Sequence, residues 1–148
     1  MLVIRQANLN DIEYLLPLME QYGYPGTYET IKNRIEIYSN SPNYNIYIAE
    51  KDNRIVGLIT FIITEGFVYI YKVCRITGLI VNRDSRNSGI GSTLMNHMEM
   101  VCKSKNVQVI EVTSGIREER ALSHKFYQKM GYSIGEIVGK LYFRKNLE

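Results

Sequence analysis

The stretch Leu79-Ile80-Val81-Asn82-Arg83-Asp84-Ser85-Arg86-Asn87-Ser88-Gly89-Ile90-Gly91-Ser92 decides how this chain is read. Three apolar residues end a strand, a polar turn follows, and two glycines open a helix. Gly89 and Gly91 remove side chains where that helix begins, so the free N–H groups of its first turn can approach an anion closely. The helix dipole favours negative charge at the same point, and Arg86 adds a fixed cation with planar donors. This is the physics of a diphosphate cradle. The same letters also suit a tight glycine turn with no ligand. A Walker A loop needs a lysine that is missing here, because Gly91 is followed by Ser92-Thr93. A G-x-G-x-x-G dinucleotide fingerprint fails too, because Leu94 stands three residues after Gly91 and the loop lies past the middle of the chain.

Working outward, Ser88–Lys105 reads as the best helix, with Ile90, Leu94, Met98, Val101 and Cys102 on one stripe. Lys103 and Lys105 lie in its last turn, where the dipole favours cations. Upstream, Phe67–Val81 is strand-like and broken by Gly78, a residue that inside a strand marks a bulge or a close backbone approach. Tyr44–Glu50 and Arg54–Thr64 pair as a hairpin over Lys51-Asp52-Asn53. Leu2–Gln6 is a short first strand. Asn8 and Asp11 have capping-box spacing ahead of Ile12, Leu15, Leu16 and Met19, and that helix ends near Gly23. Ile31, Ile35 and Tyr38 mark a second helix after Pro25-Gly26. Downstream come a strand over Val107–Thr113, a helix over Glu118–Met130 with Gly131 as its C′ residue, and two closing strands, Tyr132–Ile134 and Lys140–Arg144. The predicted order is β-α-α-β-β-β-α-β-α-β-β, a mixed α/β fold in one domain over residues 1–148.

Composition narrows the function. The 148 residues are 45% hydrophobic and 22% charged, which is ordinary globular usage and argues against disorder and low complexity. The longest apolar run, Ile55–Ile63, falls well short of the roughly 20 residues a membrane helix needs. The first ten residues hold no secretory h-region. Two cysteines, Cys74 and Cys102, are too few for a disulfide scaffold and fit a reducing cytoplasm. The net charge of +3 comes from scattered residues, which suits a small polyanion at one site and does not suggest a nucleic-acid surface. No His, Cys, Asp or Glu cluster has metal-ligand spacing, so no metal is expected.

The second informative stretch is Ser123-His124-Lys125-Phe126-Tyr127-Gln128-Lys129-Met130-Gly131-Tyr132. Phe126 belongs to the apolar stripe of its helix, and Tyr127 is one position round from it. A phenol of pKa about 10 can donate a proton to a departing thiolate. In a chain with twelve tyrosines it is equally a tyrosine packed at a helix edge. Taken together, Arg86-x-x-Gly89-x-Gly91 after a strand and Phe126-Tyr127-x-x-x-Gly131-Tyr132 much later resemble the GNAT superfamily of N-acetyltransferases. The element order matches that fold over essentially the whole chain.

The resemblance implies acetyl transfer from acetyl-CoA to the amine of a small molecule or peptide, by direct attack in a ternary complex. It places the CoA pyrophosphate on Arg86, Asn87, Ser88, Gly89, Ile90, Gly91 and Ser92. It places the pantetheine amides along Leu79, Ile80 and Val81. Tyr127 becomes the acid that protonates the leaving thiolate, and no enzyme nucleophile is needed, which leaves Cys74 and Cys102 as core residues. Where many relatives carry an acidic base in the strand before the loop, this chain has Thr77 and Gly78. Thr77 is then a candidate to position a water, and Glu111 and Glu65 are candidate bases. Many relatives have an asparagine seven residues before the helix tyrosine, but Arg120 stands there, within reach of a CoA phosphate in a version of the motif that Ser123-His124-x-Phe126-Tyr127 resembles. His124 is expected to be structural. The acceptor pocket falls over Tyr22-Gly23-Tyr24-Pro25-Gly26-Thr27-Tyr28, whose rings suit an amine through cation–π contact and equally suit a plain tyrosine-rich turn. A homodimer is an expectation carried by the resemblance. Two rival readings remain: an acyl-CoA-binding regulatory domain without catalysis, and a small interaction module whose glycine loop is only a turn.

Overall fold

In the computed structural model of the chain, the described residues are 1–68, 70–113, 121–133 and 143–147, with the backbone alone described for Ala121 and Leu122. They fall into two compact units, Met1–Thr113 and Ser114–Glu148.

The first unit is a five-stranded sheet in the order β1-β2-β3-β4-β5. Its strands are β1 (Leu2–Gln6), β2 (Tyr44–Lys51), β3 (Arg54–Glu65), β4 (Lys72–Val81) and β5 (Val109–Val112), and three helices accompany them: α1 (Ile12–Tyr22), α2 (Tyr28–Ser39) and α3 (Ile90–Ser104). The first four strands run antiparallel to their neighbours, and β5 joins β4 in parallel. The β2–β3 hairpin turns on Asp52 (φ 51) and Asn53 (φ 62), the paired left-handed residues of a two-residue turn that matches strand twist.

Alternation sorts the side chains onto two faces. Ile48, Leu58 and Ile80 pack with Ile12, Leu15, Leu18, Ile31 and Ile35 of α1 and α2. On the other face Ile59, Phe61 and Cys74 are fully buried, as are Leu94, Met95, Met98 and Cys102 of α3. Met98 Sδ lies 3.9 Å from Cys74 Sγ and 3.7 Å from Cys102 Sγ. Hydrogen bonding to Cys102 and burial push the Cys74 thiol up, so it is a packed apolar residue rather than a thiolate nucleophile.

The expected capping box at Asn8–Asp11 is present and carries more than a cap. Asp11 is 4% exposed; it accepts from Asn8 N at 2.8 Å and from both terminal nitrogens of Arg5 at 2.8 and 2.9 Å. Burial alone would raise the Asp11 carboxyl; the Arg5 and Asn8 donors outweigh it and hold the group below its ordinary value. A carboxylate depressed in the folded state binds fewer protons than in the unfolded chain. Its contribution is therefore full above the unfolded value of about 3.9 and is lost as pH falls through the folded one. Arg5 is about one-third exposed (32%), so the pair contributes on the order of 2 kcal/mol, less than a fully buried one. Asp11→Asn should lower the urea midpoint at pH 7 and reduce its further fall at pH 3; an unchanged acid limb would remove Asp11 as its source.

Several element boundaries differ from the sequence reading; β5 runs over Val109–Val112 rather than Val107–Thr113. β4 starts at Lys72, which pairs with Glu65 at the end of β3. The apolar letters Phe67, Val68 and Ile70 suggested strand but are 100%, 82% and 91% exposed. α3 starts at Ile90 rather than Ser88, since Gly89 (φ 82) and Asn87 (φ 63) are left-handed and cannot be helical. In the second unit, α4 (Ala121–Lys129) ends where expected, but Tyr132 and Ser133 form no strand. Residues 134 and 140–142 of the two expected closing strands lie outside the described residues, and Phe143 and Arg144 are in irregular backbone. Among the described residues no helix is long and apolar enough to cross a membrane.

Candidate active site

β4 carries one residue too many for its partner. Thr60 pairs with Gly78 and Phe61 with Ile76, which leaves Thr77 unpaired as a β-bulge. Gly78 had signalled this, and its own reason is steric: a Cβ there would come within 2.9 Å of Thr60 Oγ1. The bulge turns Thr77 to the same face as Thr60, and their hydroxyls lie 2.7 Å apart. It also coincides with the end of the parallel ladder. β5 pairs with β4 only over Val73–Ile76. Among the described residues nothing pairs with residues 77–81 on the side away from β3. Leu79, Ile80 and Val81 thus sit in a strand with one open backbone edge, a place for another extended chain of amides.

That open edge runs directly into the glycine turn. Asn82 accepts from Asp84 N at 3.0 Å, and Arg83–Ser85 make a single 3-10 turn. Arg86 Nε donates to Val81 O at 3.4 Å, which folds the exposed guanidinium back over the end of β4. Ser88 Oγ donates to Ser85 O and closes the turn. The first intrahelical bond of α3 is Thr93 N to Gly89 O at 3.0 Å, and no side chain caps the helix. The N–H groups of Ile90, Gly91 and Ser92 therefore have no acceptor within the helix. Ile90 is buried and anchors this first turn from below. Gly57 on β3 makes the close approach possible, because a Cβ there would meet Leu94 Cδ1 at 3.0 Å and Ile90 Cγ2 at 3.1 Å.

The end of α1 is tied to the same region. Gln21 Oε1 accepts from Arg83 N at 2.9 Å. Gly23 (φ 91) ends α1 with bonds Gly23 N to Glu20 O and Tyr24 N to Met19 O, a Schellman arrangement. This holds the Tyr22 and Tyr24 rings 5.5 Å apart, Tyr22 half-buried against the α1–α2 core and Tyr24 exposed.

The candidate bases fare differently. Glu111 Oε1 stands 3.7 Å from Arg75 Nη1, and both are about half exposed, a surface ion pair on the laddered part of β4. Glu65 pairs with Lys72 at the hairpin end, five residues before Thr77, or about 17 Å along the strand. Neither carboxylate is placed at the bulge.

In the second unit, α4 closes with a second Schellman motif: Gly131 (φ 95) donates to Gln128 O at 3.0 Å and Tyr132 to Tyr127 O at 2.9 Å. The ring contact that accompanies this motif is Tyr127 against Tyr132, centroids 6.2 Å apart, and the Phe126 ring lies 5.4 Å from that of Tyr127. Tyr127 is half-buried. Arg120 lies outside the described residues.

A family model for the acetyltransferase (GNAT) family matches residues 11–132. The chain belongs to that family. Among GNAT relatives, the chain is 28% identical to an uncharacterized N-acetyltransferase, MJ1530 of Methanocaldococcus jannaschii, over 95% of this chain and 84% of that one. It is also 36% identical to an uncharacterized protein, YxbD of Bacillus subtilis, over 88 residues, 58% of this chain and only 48% of YxbD. The chain thus spans about half the length of that relative. Among solved structures the fold matches the aminoglycoside N-acetyltransferase AAC(6')-Iy in complex with CoA, at TM-score 0.83, 19% identity, 99% of this chain and 95% of that one. The glycine turn, the strand before it and the helix of Tyr127 were legible in the letters. Thr60, Gly57 and Gln21, which shape this region, were not. Gly57 and Thr60 were visible only as interruptions of an apolar run, and Gln21 carried no signal at all.

Proposed function

We propose that this chain is an acetyl-CoA-dependent N-acetyltransferase, one catalytic domain over residues 1–148, that acetylates a primary amine of a small molecule or peptide in a ternary complex. The observation that carries this is the continuity of the open β4 edge with the uncapped start of α3. An extended run of amides followed by a diphosphate fits these two features in this order. Leu79, Ile80 and Val81 present backbone N–H and C=O groups to the pantetheine amides. The N–H groups of Ile90, Gly91 and Ser92 face the diphosphate with the dipole of α3 behind them, and Arg86 and Arg120 supply cations.

Acetyl-CoA, when bound, supplies the thioester whose carbonyl carbon is attacked. A backbone N–H at the open edge of β4 polarises the thioester oxygen. Tyr127 holds a proton at its hydroxyl for the leaving sulfur. The acceptor amine attacks directly, and the Thr60–Thr77 hydroxyl pair is the polar feature at the bulge that orients it or the water receiving its proton. Tyr22 and Tyr24 form the aromatic side of the acceptor site. A neighbour in fold that acts on aminoglycosides supports a small-molecule amine as the first class to screen.

The test is thermal unfolding with acetyl-CoA, with NAD and ATP as controls. Ligand at 100 times Kd adds about 2.7 kcal/mol, which for a domain of this size shifts Tm by about 5–11 °C. A shift with acetyl-CoA alone, followed by thiol release with an amine panel, is the expected result. No shift at millimolar acetyl-CoA would overturn the cradle. The missing carboxylate at Thr77 and Gly78 favours a second reading, an acyl-CoA-binding regulatory domain, which predicts the same shift and no thiol release with any amine.

A further inference from the structure

Position 21 continues the buried face of α1. Ile12, Leu15 and Leu18 stand three residues apart, which makes them neighbours on one side of the helix, and each is 3% exposed or less. Gln21 is the next member of that series and is half-buried. Leu18 belongs to the same core cluster as Ile80 of β4. Past Ile80 the strand gives way to the 3-10 turn Arg83–Ser85, and there Gln21 meets it.

That turn needs one acceptor from outside. Its N–H groups can be followed in order. Asn82 N donates to Val56 O at 2.8 Å, Asp84 N to Asn82 Oδ1 at 3.0 Å and Ser85 N to Asn82 O at 2.9 Å. Arg83 N is left over, as the first N–H of a helical turn is. Gln21 Oε1 accepts from it at 2.9 Å, across 62 residues of sequence. From there the bonds run on toward the glycines. Ser88 Oγ donates to Ser85 O, and Arg86 Nε reaches back to Val81 O at 3.4 Å. Gly89 follows, and with it the uncapped start of α3. One end of this chain of bonds is a helix anchored in the core. The other is the first turn of α3, with the N–H groups of Ile90, Gly91 and Ser92.

We propose that Gln21 is a positioning residue for the cofactor: by holding Arg83 N from α1, it keeps the turn in the arrangement that receives the diphosphate. This rests on the acetyl-CoA reading and adds to it a residue outside both the turn and β4. The role needs no contact between Gln21 and the cofactor. Without the bond, Arg83 N turns to solvent and the turn samples other arrangements. The apparent affinity then falls with the fraction that remains competent.

The experiment compares Gln21→Met and Gln21→Glu with the wild-type full chain. Methionine and glutamate match glutamine in helix propensity, but only glutamate keeps an acceptor oxygen. Calorimetric titration with acetyl-CoA should show Gln21→Met weaker by about five- to tenfold. Gln21→Glu should stay within about threefold of wild type at about 0.15 M salt, where its added charge is screened. S-acetylpantetheine, which has the amides and the thioester without the diphosphate, separates positioning from general loosening. Its shift of the Leu79–Val81 amides per unit concentration, read by NMR, should be alike in wild type and Gln21→Met. Gly23→Val acts past the end of α1, leaves Gln21 in its helix and should not reproduce the loss. Wild type that binds acetyl-CoA beside a Gln21→Met that binds it equally well would overturn this proposal and spare the cofactor reading. Wild type that binds no acetyl-CoA would overturn both. Equal weakening of acetyl-CoA and S-acetylpantetheine would overturn the positioning role, as would a Gln21→Glu as weak as Gln21→Met. If S-acetylpantetheine shifts neither protein, the acetyl-CoA affinities of the two variants decide alone.

Discussion

Tyr127→Phe should lower kcat by about 10²–10⁴-fold while leaving acetyl-CoA affinity within a small factor of wild type. The reasoning starts from what the substitution keeps. The ring of residue 127 is held by Phe126 at 5.4 Å and by Tyr132 at 6.2 Å, and the backbone of Tyr127 accepts the Tyr132 N–H that closes the helix. Phenylalanine preserves all of these, so the end of α4 stays in place and only the hydroxyl is lost. If that hydroxyl holds the proton for the leaving sulfur, the loss falls on kcat and not on cofactor binding. Steady-state thiol release, read beside the acetyl-CoA thermal shift, separates the two. An unchanged kcat would remove Tyr127 from the mechanism and leave its ring as a helix-end contact.

Gly89→Val should weaken acetyl-CoA by about 100-fold or more, equivalent to about 2.7 kcal/mol. Packing is not the cause: a Cβ at position 89 would meet no described atom within 4 Å. The cause is the backbone, because φ is +82 at the residue that launches α3. A β-branched residue resists this region, at a cost of roughly 1–2 kcal/mol or more. Relief of that strain re-aims the N–H groups of the first turn. Gly23→Val is the matched control. It has the same left-handed conformation (φ +91) and the same open space, at the end of α1. It should lose comparable thermal stability and keep the acetyl-CoA affinity. If both variants bind alike, the start of α3 does not hold the diphosphate.

How much of this was legible in the letters depends on the range of the interaction. Asn8 and Asp11, Asp52 and Asn53, and Gly131 were readable because each acts within a few residues of itself, through a cap, a two-residue turn or a left-handed φ. The α3 stripe was readable because one period decides it. Phe67, Val68 and Ile70 misled because β-forming letters do not reveal where a hairpin closes; the pairing of Glu65 with Lys72 does. Gly78 announced an irregularity but not its form. Only the register against β3 shows that Thr77 is the extra residue and that Thr60 is its partner. Gln21 and Gly57 act across 62 residues and across two layers respectively, and no local pattern encodes such reach.

The bulge at Thr77 sets two demands against each other. Deleting that one residue would bring Ile76 and Gly78 into unbroken register with Phe61 and Thr60. β4 would become a regular strand, and β5 would gain freedom to extend its ladder past Ile76. A continuous ladder satisfies more backbone groups than an interrupted one. The shortened chain would thus be the better-formed sheet and the poorer receptor, its open edge sealed by its own neighbour. Selection for stability alone would favour losing the residue. If acetyl-CoA lies along this edge as proposed, the extra residue is where the fold gives up self-pairing so that something else can be paired.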